Sequence, residues 1–274
     1  MSADQRGAQH VVSSLMRESL MDKEVIARTE SPVRAILPNL NVIQIGGLSI
    51  MDRGHTSVLP LLDEIVANQN RYTQVIGVGP GVRARHILSV GLDLGLPTGA
   101  LATLAAKSSA QNAYMVSCLL ASRGFVYLEA PFIVQLLPAM LAAARGAVFN
   151  GIPPYDLWEH PPGLGKLPPH GSDSGAYLVG EVFGARTVIL LKDVNGLYTA
   201  DPKSDPSATF IPEISAADLL AKQLPTLPIE PAVLHLLTRA KLVRSVRLVN
   251  GLVPGNLTKA LSGEPVGTTV VNAS

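Results

Sequence analysis

The chain has 274 residues, 47% of them hydrophobic and only 16% charged, which excludes the low-hydrophobicity, high-charge regime of disorder and allows a large buried core. With 22 basic and 21 acidic residues the formal net charge is +1, and aromatic residues make up 4%, so neither a global field nor a stacking platform favours nucleic acid or an anionic membrane. The single cysteine, Cys118, excludes an intramolecular disulfide, and every apolar stretch is broken short of the ~20 residues that span a bilayer.

Met1 to His10 is polar and mixed in charge, unlike a secretory signal, so a cytoplasmic protein is expected. The low charge fraction also implies surface that is buried between subunits. Residues 1–35 read as an N-terminal arm, with apolar residues at near-helical spacing from Val11 to Met21, and residues 36–274 as one domain.

The domain opens with Asn41-Val-Ile-Gln-Ile-Gly-Gly47, a β-branched run stopped by two glycines, as a buried parallel strand ends in a tight turn. A helical pattern at Leu59 to Ala67 leads to a second strand, Gln74 to Val78, which runs into Gly79-Pro-Gly81 and a helix from Val82 to Leu92. This alternation predicts a mostly parallel sheet with right-handed crossovers. Further elements are a long helix from Leu101 to Leu120, a strand at Gly124 to Tyr127, a helix at Val134 to Ala144 and a strand at Ala147 to Phe149. Residues 151–171 hold six prolines and four glycines and cannot be regular helix or central strand; loops of this length inside a domain are usually functional. A helix follows, which Ser172-Asp-Ser-Gly175 can cap, then a strand at Thr187 to Leu191, turn chemistry from Val194 to Pro202, and a short helix at Ala216 to Lys222. A helix at Val233 to Leu242 and strands at Arg247 to Val249 and Gly267 to Val271 complete the chain.

Two glycine turns at neighbouring strand ends, Gly46-Gly47 and Gly77 to Gly81, allow successive amides to point at phosphate oxygens where a helix begins. Arg83, Arg85 and His86 fall on the first turn of the next helix, where cations oppose the helix dipole unless an anion is bound or acids lie nearby. Asp173 at a helix start can cap it, position a lysine or hold Mg²⁺. Lys192 and Asp193, followed by Asn195-Gly196, can contact a nucleotide or simply form the turn.

Those segments, together with Lys192-Asp-Val-Asn-Gly-Leu-Tyr-Thr-Ala-Asp-Pro202, resemble uridylate kinase and its relatives in the amino acid kinase superfamily, from Leu37 to the end of the chain. The resemblance implies a three-layer α/β/α sandwich with a mostly parallel central sheet. It also implies an ATP site in which Gly46, Gly47, Gly79 and Gly81 surround the phosphates with Arg83. Lys192, Asp193, Asn195, Gly196, Tyr198, Asp201 and Pro202 then flank the rest of the nucleotide. Asp52-Arg-Gly54, Arg83-Ala-Arg-His86, Ser89 to Pro97, Pro153-Pro-Tyr155 and Val249 to Thr258 further resemble the molybdenum storage protein family. That likeness implies a hexamer of related subunits, or of this chain alone, holding molybdate or tungstate oxide clusters under the control of ATP and Mg²⁺.

Departures from the pattern shape the expected activity. The superfamily has a lysine two residues before the glycine pair that neutralises phosphate charge; here Gln44 takes that position, which weakens phosphoryl transfer and leaves ATP hydrolysis open. Asp173 and the degenerate position Gln44 are the candidate catalytic residues. Asn195 stands where an aspartate is usual. His160 and His170, with Glu129, can line a cluster cage or be solvated loop residues. The alternatives to a storage subunit are a uridylate kinase-like enzyme and a non-catalytic scaffold.

Overall fold

Six β-branched-rich runs, each closed by a glycine, a polar residue or a helix start, pair as parallel neighbours because their crossovers are helical. They are β1 (Leu40–Ile45), β2 (Thr73–Val78), β3 (Phe125–Leu128), β4 (Gly146–Asn150), β5 (Thr187–Lys192) and β9 (Ser245–Asn250). With β8 (Glu213–Ser215) and β10 (Thr268–Val271) they form an eight-stranded sheet in the order β3-β4-β2-β1-β5-β9-β10-β8. Here β10 runs antiparallel to β9, and β8 runs parallel to β10. A separate hairpin joins β6 (Leu197–Tyr198) to β7 (Phe210–Ile211). The computed structural model describes residues 33–152, 167–200, 205, 207–224 and 227–273. The arm expected over residues 1–35 lies almost wholly outside the described residues, and Ala35–Ser274 forms one unit.

Both faces of the sheet are covered, which explains why β1 is buried at every position. On one face α4 (Ile133–Ala143), α5 (Ser172–Phe183), α6 (Ala216–Ala221) and α7 (Pro231–Leu237) bury Leu137, Tyr177, Leu219 and Val233 against Val42, Phe149 and Leu190. On the other, α1 (His55–Asn68), α3 (Thr98–Leu120) and α8 (Asn256–Ser262) bury Ile65, Val116 and Leu257 against Ile43, Ile76 and Ile189. Helix α2 (Val82–Asp93) lies against α3, with Gly91 close to Leu101. The three-layer sandwich expected from the sequence is the observed architecture.

From β1 the chain moves to β2 on one side, whereas β5 leads away on the other. In open α/β sheets such a switch point opens a crevice beyond the carboxyl ends of the strands. Gly46 and Lys192 both stand at that crevice.

Candidate functional site

The two glycine turns touch. A Cβ on Gly47 would lie 2.2 Å from the Gly81 nitrogen and 2.7 Å from the Gly79 carbonyl carbon, and one on Gly79 would lie 2.6 Å from the Gly47 nitrogen. No side chain fits between them, so the sequence needs glycine in both turns for the backbones to meet. Gly81, at φ +72°, turns the chain into α2. From behind, α3 fixes the second turn: Asn112 Nδ2 donates to Gly79 O at 2.7 Å, and Ser109 Oγ donates to Val78 O. Both side chains are buried. Sequence reasoning gave neither a role, although two polar residues three apart on the inner face of an apolar helix are a usable signal.

Across the crevice, Lys192 Nζ lies 2.8 Å from each Asp173 oxygen. Asp173 is only 1% exposed, and burial pushes its carboxyl up to about 6; the Lys192 charge pulls the other way and Glu230 adds to the rise. Of the roles open to Asp173, the geometry shows the positioning of a lysine. It does not cap its own helix. Glu230 does so from the far side of the loop, accepting from Gly171 N at 2.8 Å, Asp173 N and Ser174 N at 3.0 Å, and Ser174 Oγ at 2.6 Å. The expected cap within Ser172 to Gly175 is thus replaced by a carboxylate 57 residues away.

Asp193 points outward to Arg53, 2.6 Å away. Asn195 Oδ1 accepts from Asn250 Nδ2 at 2.7 Å, which holds the turn to the end of β9. Gly196 packs under Thr268, whose Oγ1 accepts from Leu197 N at 2.7 Å, and Tyr198 stands edge-on to Phe210 with centroids 5.5 Å apart. Asp201 and Pro202 lie outside the described residues. Arg83, Arg85 and His86 are exposed on the first turn of α2.

One lane away, between α3 and the ends of β3 and β4, a cavity of about 320 Å³ is lined by Thr103, Lys107, Tyr127, Glu129, Asn150 and Ile152, among others. Asn150 pairs in register with Val78, the residue that enters the second glycine turn. Its Oδ1 is buried without a partner. Burial and the neighbouring Glu129 charge raise the Tyr127 phenol above its ordinary value, which keeps it a hydrogen-bond donor.

With this geometry in place, the amino acid kinase family model matches residues 39–250. The chain belongs to that family. It is 46% identical over 257 residues, 93% of this chain and 95% of the relative, to the molybdenum storage protein subunit beta of Azotobacter vinelandii, and it groups with the storage branch of the family. Uridylate kinase of Hyperthermus butylicus is 28% identical over 73% of this chain and 83% of its own length. Among solved structures, the uridylate kinase of Archaeoglobus fulgidus superposes with a TM-score of 0.65 at 22% identity, covering 84% of this chain and 99% of that one. The UMP kinase of Bacillus anthracis gives 0.64 at 17%, covering 87% and 98%; both likenesses concern the fold alone.

Gln44 is the position at which the sequence resemblance implies a departure from the superfamily lysine. It is fully buried, and its Nε2 donates to Ile45 O at 3.2 Å, so Oε1 turns away over the floor of the sheet. There it fills the space above two glycines, 2.1 Å from a Cβ built on Gly77 and 2.6 Å from one on Gly151. The residue is therefore packing as well as uncharged, and Lys192 is the cation held beside the glycine pair, its Cδ 3.5 Å from a Cβ on Gly46.

Of the candidate metal ligands, Glu129 lines the α3 cavity and His170 is half-buried ahead of α5. His160 lies outside the described residues. Among the described residues no three His, Cys, Asp or Glu side chains group closely enough to hold a metal ion. Also among them, no helix is long and apolar enough to cross a membrane.

Proposed function

We propose that this chain is an ATP-binding subunit of a molybdenum storage assembly. The observation that carries the reading is the contact between the two glycine turns at the switch point of the sheet, opposite the buried Asp173–Lys192 pair. Glycine turns that bring a ligand close to the backbone, and a fixed ammonium, suit the phosphates of a nucleotide. Gly46, Gly47, Gly79 and Gly81 cradle the phosphates with Arg83 at the rim. The turn from Asp193 through Asn195, Gly196 and Tyr198, continuing to Asp201 and Pro202, flanks the base and ribose. Both Asp173 oxygens face Lys192, so Asp173 holds the lysine; Mg²⁺ accompanies the nucleotide and neutralises its charge.

The cargo is an oxometalate, molybdate or tungstate, because the storage relative is named for molybdenum. The cavity beside the second turn offers Lys107, Asn150 and the Tyr127 hydroxyl to oxo groups and Glu129 to the metal, within a cytoplasmic hexamer of this chain or of this chain with a related subunit. Phosphoryl transfer is slow at best, since Gln44 brings no charge to the phosphates. Gln44 argues against the uridylate kinase alternative.

Two measurements test the proposal. Calorimetry on the folded protein should show ATP binding with and without Mg²⁺, and elemental analysis of protein purified from molybdate-fed cells should show molybdenum well above one atom per chain. No affinity for adenine nucleotides, or metal-free protein from such cells, overturns the reading; brisk phosphate transfer to UMP replaces it with a kinase.

A further inference from the structure

The short 3-10 turn Met51–Arg53 hangs from the first glycine pair. The amides of Ile50 and Met51 donate to Gly46 O at 3.1 Å, and that of Asp52 donates to Gly47 O at 3.0 Å. From this footing the Asp52 carboxylate reaches across to the second turn, where Oδ2 accepts from Val82 N at 2.6 Å. Its two oxygens lie 2.4 and 2.6 Å from the position of a Cβ on Gly81, so Gly81 leaves room for a carboxylate rather than for a side chain of its own. The next residue, Arg53, bonds to Ser49 O at 2.7 Å and to Asp193 at 2.6 Å. One segment thus ties the start of α2 to the end of β5.

The first amide of α2 is the group that a helix offers to an anion, and here it is engaged by negative charge from 30 residues away. An ordinary cap comes from the N-cap residue itself, which in α2 is Gly81 and contributes no side chain. Asp52 is exposed, so the contact that holds it is cheap to exchange. A phosphate oxygen and the Asp52 carboxylate cannot share Val82 N, and as like charges they repel at such a distance.

We propose that Asp52 is a built-in competitor for oxyanions at the second glycine turn, a carboxylate that a bound triphosphate displaces. The proposal rests on the nucleotide reading and adds a regulatory residue to it. Any ligand oxyanion binds more weakly than the bare turn would allow.

The test is calorimetry on the full chain and on Asp52→Asn, which keeps an oxygen for Val82 N and removes the charge, with Asp52→Ala as a second variant. Mg²⁺-free ATP and inorganic phosphate are the two probes, with Mg²⁺-ATP as a control. Both variants should bind ATP about tenfold more tightly than the parent. Phosphate should change in the same direction, since the competition is with oxyanion charge alone. Equal dissociation constants in parent and variants overturn the proposal. So does weaker binding confined to Mg²⁺-ATP, which would make Asp52 a metal ligand. If no protein of the set binds either probe, the nucleotide reading itself has failed, and the competitor with it; that result is distinct from equal, measurable affinities.

Discussion

Two helices begin at the mouth of the crevice, and each has its free amides held by a carboxylate from a distant part of the chain. At α5 the anion is Glu230, which is partly buried and engages three amides and a hydroxyl. At α2 the anion is Asp52, which is exposed and engages one amide. The same electrostatic rule favours both acids, but the number of bonds and the solvent around them separate their consequences. Glu230 is part of the framework and fixes the helix that carries Asp173. Asp52 stands where ligand oxyanions would bind and can leave. A helix start beside a ligand site is therefore informative through how firmly its amides are already satisfied.

The largest expected effect comes from the framework side. Asp173 is 1% exposed and shares the start of α5 with Glu230, so Lys192 is the cation that makes two neighbouring acids tolerable there. In Lys192→Met the stem still packs, but Asp173 loses its counter-charge, and breaking a buried pair in this way costs about 3–5 kcal/mol. Urea unfolding at neutral pH should show a loss of that order, together with loss of ATP binding. An unchanged midpoint would mean that the pair is solvated and that the contrast between the two helix starts is overstated.

Next in size is Glu230→Ala, which strips several donors of their acceptor at once and should cost about 2–3 kcal/mol, with ATP affinity falling as α5 loosens. Asp52→Asn should shift the unfolding midpoint little, because its single exposed bond contributes about 1 kcal/mol or less. Matching losses in the two proteins would erase the distinction between a fixed and a displaceable cap.

The parts of this arrangement that are local in sequence were legible there. A β-branched run ending in Gly46-Gly47 and another entering Gly79-Pro-Gly81 predict parallel strands with bare turns, and the sheet, its helices and the family follow. Lys192 and Asp173 could be named as site residues, yet their bond could not, because it depends on α5 and β5 meeting across β1. Glu230 and the reach of Asp52 to Gly81 were invisible for the same reason: carboxylates are common, and no period or motif marks one that acts 30 or 57 residues away. The helix expected to run to Leu242 stops at Leu237: the amides of Arg239 and Ala240 donate three residues back, to Leu236 and Leu237, and those of Lys241, Leu242 and Val243 donate to Glu181. Strands β6, β7 and β8 span only two or three residues each, too few to show an alternating pattern.

The effect whose sign is most informative is the pH dependence contributed by Asp173. Its carboxyl stands at about 6 in the fold against an ordinary 3.8, with burial outweighing the Lys192 charge. A raised value means that the folded protein binds this proton more tightly than the unfolded chain. The stabilisation is then fully present below about pH 4 and is lost as pH rises through about 6. Because other acids in the chain add slopes of their own, the useful quantity is the difference between parent and Asp173→Asn, in which the side chain keeps its shape and no longer titrates. Between pH 4 and 6.5 the parent should lose stability relative to the variant. If it gains instead, the Lys192 charge outweighs burial and the carboxyl is depressed rather than raised. The Asp173–Lys192 pair would then favour folding as the carboxyl ionises, and its stabilisation would be present at neutral pH and lost on acidification.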